Sequence, residues 1–158
     1  MSGCRILTLV LVRKANKILL GLKKRGFGEG KWNGFGGKVE AGETILEAAK
    51  REVREECSLE VDSLEKVGVL QFEFLGQPPA LEVHVFGTSS FTGEPVDTEE
   101  MSPKWFSIGE VPFDRMWPDD RIWFPMYLGE KKFQGHFLYE GLDHIRSHTL
   151  VAVDHLPS

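Results

Sequence analysis

The segment Gly37-Lys-Val-Glu-Ala-Gly-Glu43 is followed by seven residues and then by Arg51-Glu-Val-Arg-Glu-Glu56. Thr44 and Glu47 have the spacing of a capping box, which predicts a helix over residues 43–57. One stripe of this helix is apolar, and it comprises Leu46, Ala49, Val53 and Cys57, with Ile45 beside it. We therefore expect the helix to pack this stripe against the core.

Three glutamates of the predicted helix, Glu52, Glu55 and Glu56, are spaced so that they point roughly the same way. Like charges at this spacing destabilise a helix, and negative charge is disfavoured near its C-terminal end. We expect Arg51 and Arg54 to point to other sides of the helix, so a hard divalent cation is one way to offset the repulsion. Taken alone, the three carboxylates favour the simpler alternative, a glutamate-rich surface helix.

The whole segment 37–59 resembles the Nudix box. That box has a glycine, five residues, a glutamate, seven residues, and then Arg-Glu-aliphatic-X-Glu-Glu-X-Gly-aliphatic. This chain departs from it at one position, because Ser58 stands where the box has a glycine. The glycine would follow the helix end in a left-handed conformation, where a serine costs about 1 kcal/mol. The departure removes no charged residue, and the chain is identified as a member of the Nudix family.

The resemblance implies a loop–helix–loop that holds Mg²⁺, with Mn²⁺ as a substitute, and an enzyme that hydrolyses a nucleoside diphosphate linked to another group. Glu52, Glu55 and Glu56 would be the metal ligands, assisted by the backbone near Gly36 and Gly37. A carboxylate can accept a proton from the attacking water. Glu56 is the first candidate for this catalytic base and Glu52 the second.

Four further charged residues receive roles in this prediction. Arg51 is expected to orient a carboxylate of the box, and Lys23 and Lys38 are available for phosphate oxygens. Glu100 is either a further metal ligand or one of a solvated acidic trio with Asp97 and Glu99.

Outside the box, strand patterns outnumber helical ones, which predicts an α+β fold with helices packed on a mixed sheet. The resemblance implies the same architecture, and we expect one domain over residues 1–158. A second helix is predicted to open at Pro118, and residues 92–103 are predicted to form a loop. The predicted strands are 6–12, 17–22, 64–75, 81–91, 105–106, 133–139 and 145–153.

Two segments contain groups that suit a flat purine base. Asn33 can donate and accept hydrogen bonds, and Asp119 and Asp120 are adjacent carboxyls. One carboxyl of a desolvated pair has a raised pKa, so the pair can present both a donor and an acceptor. Aromatic faces are available from Phe72, Phe74, Trp117 and Trp123. The alternative is that Pro118-Asp119-Asp120 caps a helix and both tryptophans belong to the core.

The segments 23–28, 32–39 and 113–125 resemble, more narrowly, the Nudix enzymes that hydrolyse oxidised purine nucleoside triphosphates. This likeness extends over essentially the whole chain. It implies cleavage of 8-oxo-dGTP and 2-hydroxy-dATP to the monophosphate and pyrophosphate. It carries over Asn33, Trp117, Asp119 and Asp120 as base-contacting residues. The likeness also places Thr8, Lys23 and Phe27 in the same pocket. The predicted walls of this pocket are Phe72, Phe74, Leu81, Met101 and Trp123.

The composition limits the possible partners. The chain has 158 residues and a net charge of −5, which disfavours binding to a nucleic-acid polymer. The apolar run 6–12 is too short to span a bilayer. We expect a monomeric cytoplasmic protein, with a nuclear or mitochondrial fraction possible. Two rivals are a Nudix hydrolase with another substrate (a dinucleoside polyphosphate, an ADP-sugar or an RNA cap) and a Nudix module that binds a nucleotide without cleaving it.

Overall fold

A computed structural model describes residues 4–157. Its strands are β1 (Arg5–Lys14), β2 (Lys17–Lys23), β3 (Trp32–Asn33), β4 (Glu60–Val61), β5 (Glu65–Phe74), β6 (Leu81–Thr88), β7 (Phe91–Thr92), β8 (Met101–Ser107), β9 (Lys132–Glu140) and β10 (His144–Val153). Its α-helices are α1 (Ile45–Cys57) and α2 (Asp120–Leu128), and two short 3₁₀ turns lie at Ile108–Glu110 and Phe113–Arg115. Neither helix in this part of the chain has the length and apolar character needed to cross a bilayer.

The main sheet is mixed, as predicted. Its order is β10-β9-β5-β6-β1-β2-β3, and β8 also pairs with β2, while β4 and β7 form a separate small pair. The central pair β1 and β6 is parallel, as is the pair β5 and β9, and the other pairs of the main sheet are antiparallel.

The two faces of the sheet are covered by different helices. On β1, Leu9 and Leu11 belong to one apolar cluster and Val10 and Val12 to another, as expected from the alternation of side chains along a strand. The first cluster includes Trp123 and Phe124 of α2, whereas the second includes Ala49 and Val53 of α1. The sheet is therefore a central layer with α1 on one face and α2 on the other.

Most predicted elements are confirmed, with corrections at their ends, but the short strands β3, β4 and β7 were not predicted, and the predicted strand 81–91 ends at Thr88. The loop predicted over 92–103 is wrong at its end, because β8 begins at Met101 and pairs with β2 from Lys17 to Lys23. Helix α1 begins at Ile45, since Thr44 is its N-cap and forms the predicted capping box with Glu47. Leu46, predicted to be in the apolar stripe, is 44% exposed.

Candidate active site

A glycine-rich segment brings helix α1 against strand β1. Phe35 exchanges backbone hydrogen bonds with Val10, and the Thr8 N–H donates to the Gly37 carbonyl at 2.9 Å. A Cβ at Gly36 would overlap the Thr8 carbonyl, and one at Gly37 would overlap the carboxylate of Glu52. Gly36 therefore requires glycine for the backbone to approach strand β1 this closely, whereas at Gly37 the Glu52 side chain would have to move.

Glu56 is held at the inner side of helix α1. Only 5% of the residue is exposed, and Glu56 Oε1 accepts a hydrogen bond from the Gly36 N–H at 2.9 Å. Burial raises the pKa of Glu56 to about 8, and the charges of Glu52 and Glu100 add to this effect. The Gly36 N–H and the Lys23 ammonium oppose it. A carboxyl with this pKa is suited to accept a proton near neutral pH.

Arg51 lies among the carboxylates of the box, which corrects the expectation that it points away from them. Its guanidinium donates to both carboxylate oxygens of Glu43 at 2.5 and 3.0 Å, to Glu55 at 3.0 Å and to Glu52 at 3.3 Å. It also donates to the Lys38 carbonyl at 3.1 Å. Arg51 thus offsets part of the repulsion that was expected to require a cation.

The three box glutamates differ in their surroundings. The Glu52 side chain is 16% exposed, and burial raises its pKa, whereas the Glu55 side chain is 57% exposed. Within residues 4–157, no three His, Cys, Asp or Glu side chains converge into a ready-made metal cluster.

Glu100 lies beside basic residues of the loop after β2. It accepts hydrogen bonds from Arg25 at 2.5 and 2.9 Å, and its other oxygen is 3.6 Å from the Lys23 ammonium. The hydrogen bond from Arg25 is the main cause that lowers the pKa of Glu100. Asp97 and Glu99 lie 3.6 Å from Lys24 and 3.8 Å from Arg25, and their side chains remain 67% and 88% exposed, so these two residues are solvated as well as ion-paired.

A cavity of about 610 Å³ opens beside Glu56. All eleven residues predicted to bind substrate line it, as do Gly36 and Gly37, whereas Arg51, Glu52, Glu55 and Glu100 lie outside its wall. The eleven residues are Thr8, Lys23, Phe27, Asn33, Lys38, Phe72, Phe74, Trp117, Asp119, Asp120 and Trp123. The predicted walls Leu81 and Met101 also line the cavity.

The adjacent carboxyls of Asp119 and Asp120 are both buried, with 4% and 2% of each residue exposed. Asp119 stands at the N-cap of α2, but its side chain makes no capping hydrogen bond. Its oxygens instead accept hydrogen bonds from the Tyr139 hydroxyl at 2.5 Å and the Trp123 indole N–H at 2.8 Å. The alternative of a simple acidic helix cap is therefore wrong for Asp119.

Burial raises the pKa of both aspartates. For Asp120 the neighbouring charge of Asp119 adds to the effect, and for Asp119 the hydrogen bonds from Tyr139 and Trp123 oppose it. Among the described residues, none offers a hydrogen-bond partner to Asp120 Oδ2. This atom is thus a buried polar group at the cavity wall whose hydrogen-bonding capacity is unused by the protein.

Aromatic rings close the cavity near the aspartates. Trp117 stacks on Phe27 with 5.0 Å between ring centroids, and its edge meets Tyr139. Phe27 is 62% exposed, and it also contacts the edge of Phe74. Asn33 Oδ1 accepts from the Gly34 N–H at 2.8 Å, so the amide nitrogen of Asn33 keeps its two donors for a ligand.

Tyr139 is one of the residues lining this cavity that the sequence did not indicate, and Lys31 is another. Tyr139 lies on β9, which was predicted as a strand, and it is fully buried against the cavity. The available signal was the alternation of Phe133, Phe137 and Tyr139, which places all three on one face of the strand. That signal predicts burial, but it does not say that the hydroxyl meets Asp119.

Comparison with known proteins agrees with this geometry. Residues 5–127 match the NUDIX domain, and the chain belongs to the Nudix family. It is 53% identical to the oxidized purine nucleoside triphosphate hydrolase of Mus musculus, over 98% of this chain and 99% of the relative. It is 51% identical to the protein of the same description from Danio rerio, over 99% and 100% of the two chains.

Solved structures show the same fold. The crystal structure of the MutT protein from Bacillus halodurans superposes with a TM-score of 0.83 and 28% identity, and the match covers 92% of this chain and 97% of the other. The predicted α+β Nudix fold, with two helices on a mixed sheet, is confirmed.

Proposed function

We propose that this protein hydrolyses oxidised purine nucleoside triphosphates, such as 8-oxo-dGTP and 2-hydroxy-dATP, to the monophosphate and pyrophosphate. One observation carries the proposal: a single cavity joins the buried carboxyl of Glu56 to the paired carboxyls of Asp119 and Asp120. The mouse and zebrafish relatives, similar over nearly their whole length, are described as hydrolases of this substrate class. An enzyme of this kind removes damaged nucleotides before they enter DNA.

The residues of the box fit a divalent cation. Glu56 is buried beside Glu52, and burial disfavours the charged form of both carboxyls, which a bound cation would reverse. Glu52, Glu55 and Glu56 would hold Mg²⁺ through hard oxygen ligands, with Gly36 and Gly37 contributing backbone and Glu100 a candidate for a further ligand. When bound, Mg²⁺ neutralises phosphate charge and lowers the pKa of water, and Mn²⁺ is a substitute.

The side chains of this chain divide the remaining work. Glu56 is the proposed base, which takes the proton of the attacking water, and Glu52 is the second candidate. Arg51 positions the carboxylates of Glu52 and Glu55, to which it donates hydrogen bonds. Lys23 and Lys38 line the cavity and supply positive charge for the phosphate oxygens.

The purine base of the nucleotide would lie between aromatic and polar walls of the cavity, and we call this part of the cavity the base pocket. Trp117 offers a ring face for stacking, and Asn33, Asp119 and Asp120 offer hydrogen bonds to the purine edge. Further contacts would come from Thr8, Phe27, Phe72, Phe74 and Trp123.

We propose that the 158 residues form one domain and that the protein acts as a monomer. Its substrate would be a small nucleotide, since the net charge of −5 disfavours binding to nucleic-acid polymers. We place the protein in the cytoplasm, with a nuclear or mitochondrial fraction.

A substrate panel tests the function. Pyrophosphate release is followed with Mg²⁺ and with 8-oxo-dGTP, 2-hydroxy-dATP, dGTP, dATP, ADP-ribose and a dinucleoside polyphosphate. We expect 8-oxo-dGTP to be cleaved at least about 100-fold more efficiently than dGTP, because buried polar groups left unpaired by the wrong base cost this much or more. Equal efficiency for the two would overturn the substrate assignment, and binding without cleavage of any compound would support a non-catalytic module.

A further inference from the structure

Tyr139 makes two hydrogen bonds to a single residue of the base pocket. Its hydroxyl donates to Asp119 Oδ1 at 2.5 Å and accepts from the Asp119 backbone N–H at 3.1 Å. The tyrosine ring is fixed by its place on β9 and by contacts with the rings of Phe74 and Trp117. The hydroxyl is therefore a preorganised donor aimed at one carboxyl of the pair.

The two aspartates are consequently unequal. Asp119 receives side-chain donors on both oxygens, from Tyr139 and from Trp123, and donors of this kind stabilise an ionised carboxylate. Asp120 Oδ2 has no hydrogen-bond partner among residues 4–157, and the charged groups that act on Asp120 are Asp119 and Lys31. Lys31 is itself engaged, with its ammonium over the ring of Trp117 and 3.7 Å from Asp143.

We propose that Tyr139 is a positioning residue that keeps the shared proton of the pair on Asp120 and so narrows the range of purines that the pocket accepts. This inference rests on the proposed function of the pocket. The directions of the pKa shifts agree with it, since burial raises the pKa of both carboxyls and the Tyr139 hydroxyl lowers that of Asp119.

The consequence for substrates follows from the edges of the bases. A 6-keto purine presents an acceptor at C6 and a donor at N1, whereas a 6-amino purine presents a donor at C6 and an acceptor at N1. A carboxyl pair that moves its proton freely between its members can match both patterns. A pair whose proton is held on one member matches one pattern better than the other.

The test compares two tyrosine variants. Tyr139→Phe removes the hydroxyl that meets Asp119, and Tyr127→Phe removes a buried hydroxyl with no partner among the described residues, outside the cavity wall. The measured quantity is the ratio of kcat/KM for 8-oxo-dGTP to that for 2-hydroxy-dATP. We expect this ratio to be roughly tenfold closer to one in Tyr139→Phe, because a hydrogen bond to a charged group typically contributes enough free energy for a tenfold change. Tyr127→Phe should leave the ratio unchanged.

The same substitution in an Asp119→Asn protein distinguishes a positioning role of Tyr139 from a role in packing. In an Asp119→Asn protein there is no proton to distribute, so adding Tyr139→Phe should no longer change the ratio. A ratio that is unchanged in the single Tyr139→Phe variant, or that shifts equally in the Asp119→Asn background, would overturn the inference.

A measurement without substrate keeps this inference distinct from the proposed function. In ligand-free protein with ¹³C-labelled aspartate carboxyls, the Asp119 signal should titrate at higher pH in Tyr139→Phe than in the unmodified chain or in Tyr127→Phe. An unchanged titration of Asp119 would contradict the role of Tyr139 even if both nucleotides are cleaved. A shifted titration in a protein that cleaves neither nucleotide would instead overturn the proposed function alone.

Discussion

Glu52 of helix α1 and the aspartates of the base pocket are acidic groups largely removed from water, but the protein compensates them differently. Around Glu52 the compensation is ionic, since Arg51 contacts Glu52 together with Glu43 and Glu55. Around Asp119 it is made by neutral donors, the Tyr139 hydroxyl and the Trp123 indole. Formal charges hold the first group in place, whereas the second group is held by dipoles and burial.

This difference suits two separate tasks. A site for phosphates and cations needs carboxylates that become ionised when a cation binds. A site for an uncharged base needs a definite pattern of donors and acceptors, which depends on where one proton lies. The variants below are chosen to affect one of these regions and leave the other intact.

The largest effect is expected for Glu56→Gln, which removes the proposed base and one metal ligand. Hydrolysis of every substrate should fall about 1,000-fold or more, because general base catalysis alone contributes typically 100- to 10,000-fold. The ranking of substrates by affinity should not change. Pyrophosphate release and equilibrium binding of 8-oxo-dGTP, 2-hydroxy-dATP and dGTP measure the two quantities.

Glu94→Gln, in an exposed loop, is the matched control and should retain full activity. A normal rate for Glu56→Gln would remove Glu56 from the role of base.

Asp119→Asn should act on the other region. We expect the preference between 8-oxo-dGTP and 2-hydroxy-dATP, whose bases differ at C6 and N1, to change by about 10- to 100-fold, since a mispaired polar group in a buried site costs roughly 1–3 kcal/mol. Inhibition by inorganic pyrophosphate should be unchanged, because Asp119 is proposed to contact the purine and not the phosphates. If the substrate ranking stays the same, Asp119 does not contact the base.

Asp120→Asn tests how the buried carboxyl of Asp120 affects the stability of the folded protein. Burial and the charge of Asp119 raise the pKa of Asp120, so ionisation of Asp120 opposes folding. The protonated form contributes stability that is fully present below the unfolded-state pKa of about 4 and is lost as the pH rises through the higher folded-state pKa. The asparagine variant should therefore gain stability relative to the parent as the pH rises from 5 to 8.

Urea denaturation at pH 5 and at pH 8 measures this difference. The prediction fails if the gain is equal at the two pH values.

Ser58→Gly should have the smallest effect. Ser58 ends α1 in the left-handed region with φ of 68° and ψ of 12°, as the resemblance to the box predicted, and its N–H donates to the Arg54 carbonyl. Glycine at this position should stabilise the protein by about 0.5–1 kcal/mol, with no change in substrate preference. Urea denaturation measures the gain, and Ser58→Ala, which keeps the Cβ, should show none.

The sequence predicted the two regions unequally well. The box is local, because its spacing on one helix determines which carboxylates are neighbours, and the capping box of Thr44 and Glu47 is confirmed. Even there, Arg51 was wrongly expected to point to another side of the helix, because it donates to Glu52 and Glu55 and to Glu43, which precedes the helix. These hydrogen bonds agree with the other expectation, that Arg51 orients a carboxylate of the box.

The base pocket depends on contacts between distant parts of the chain. Asn33 lies on β3, Asp119 at the start of α2 and Tyr139 on β9, and their meeting is a property of the sheet order. The likeness to a known subfamily supplied the first two. The role of Tyr139 needed the structure, because strand alternation predicts which face a residue occupies and not what its hydroxyl contacts.

The stack of Phe27 on Trp117 also gives the protein a natural optical reporter. Trp117 lies at the cavity wall under an exposed ring, Trp123 lines the cavity but is buried, and Trp32 and Trp105 lie outside the cavity wall. A purine that enters beside Trp117 would quench the emission of that indole more than that of Trp32 and Trp105. Stopped-flow fluorescence of Glu56→Gln would then give the rates of nucleotide entry and exit in a protein that does not turn the nucleotide over.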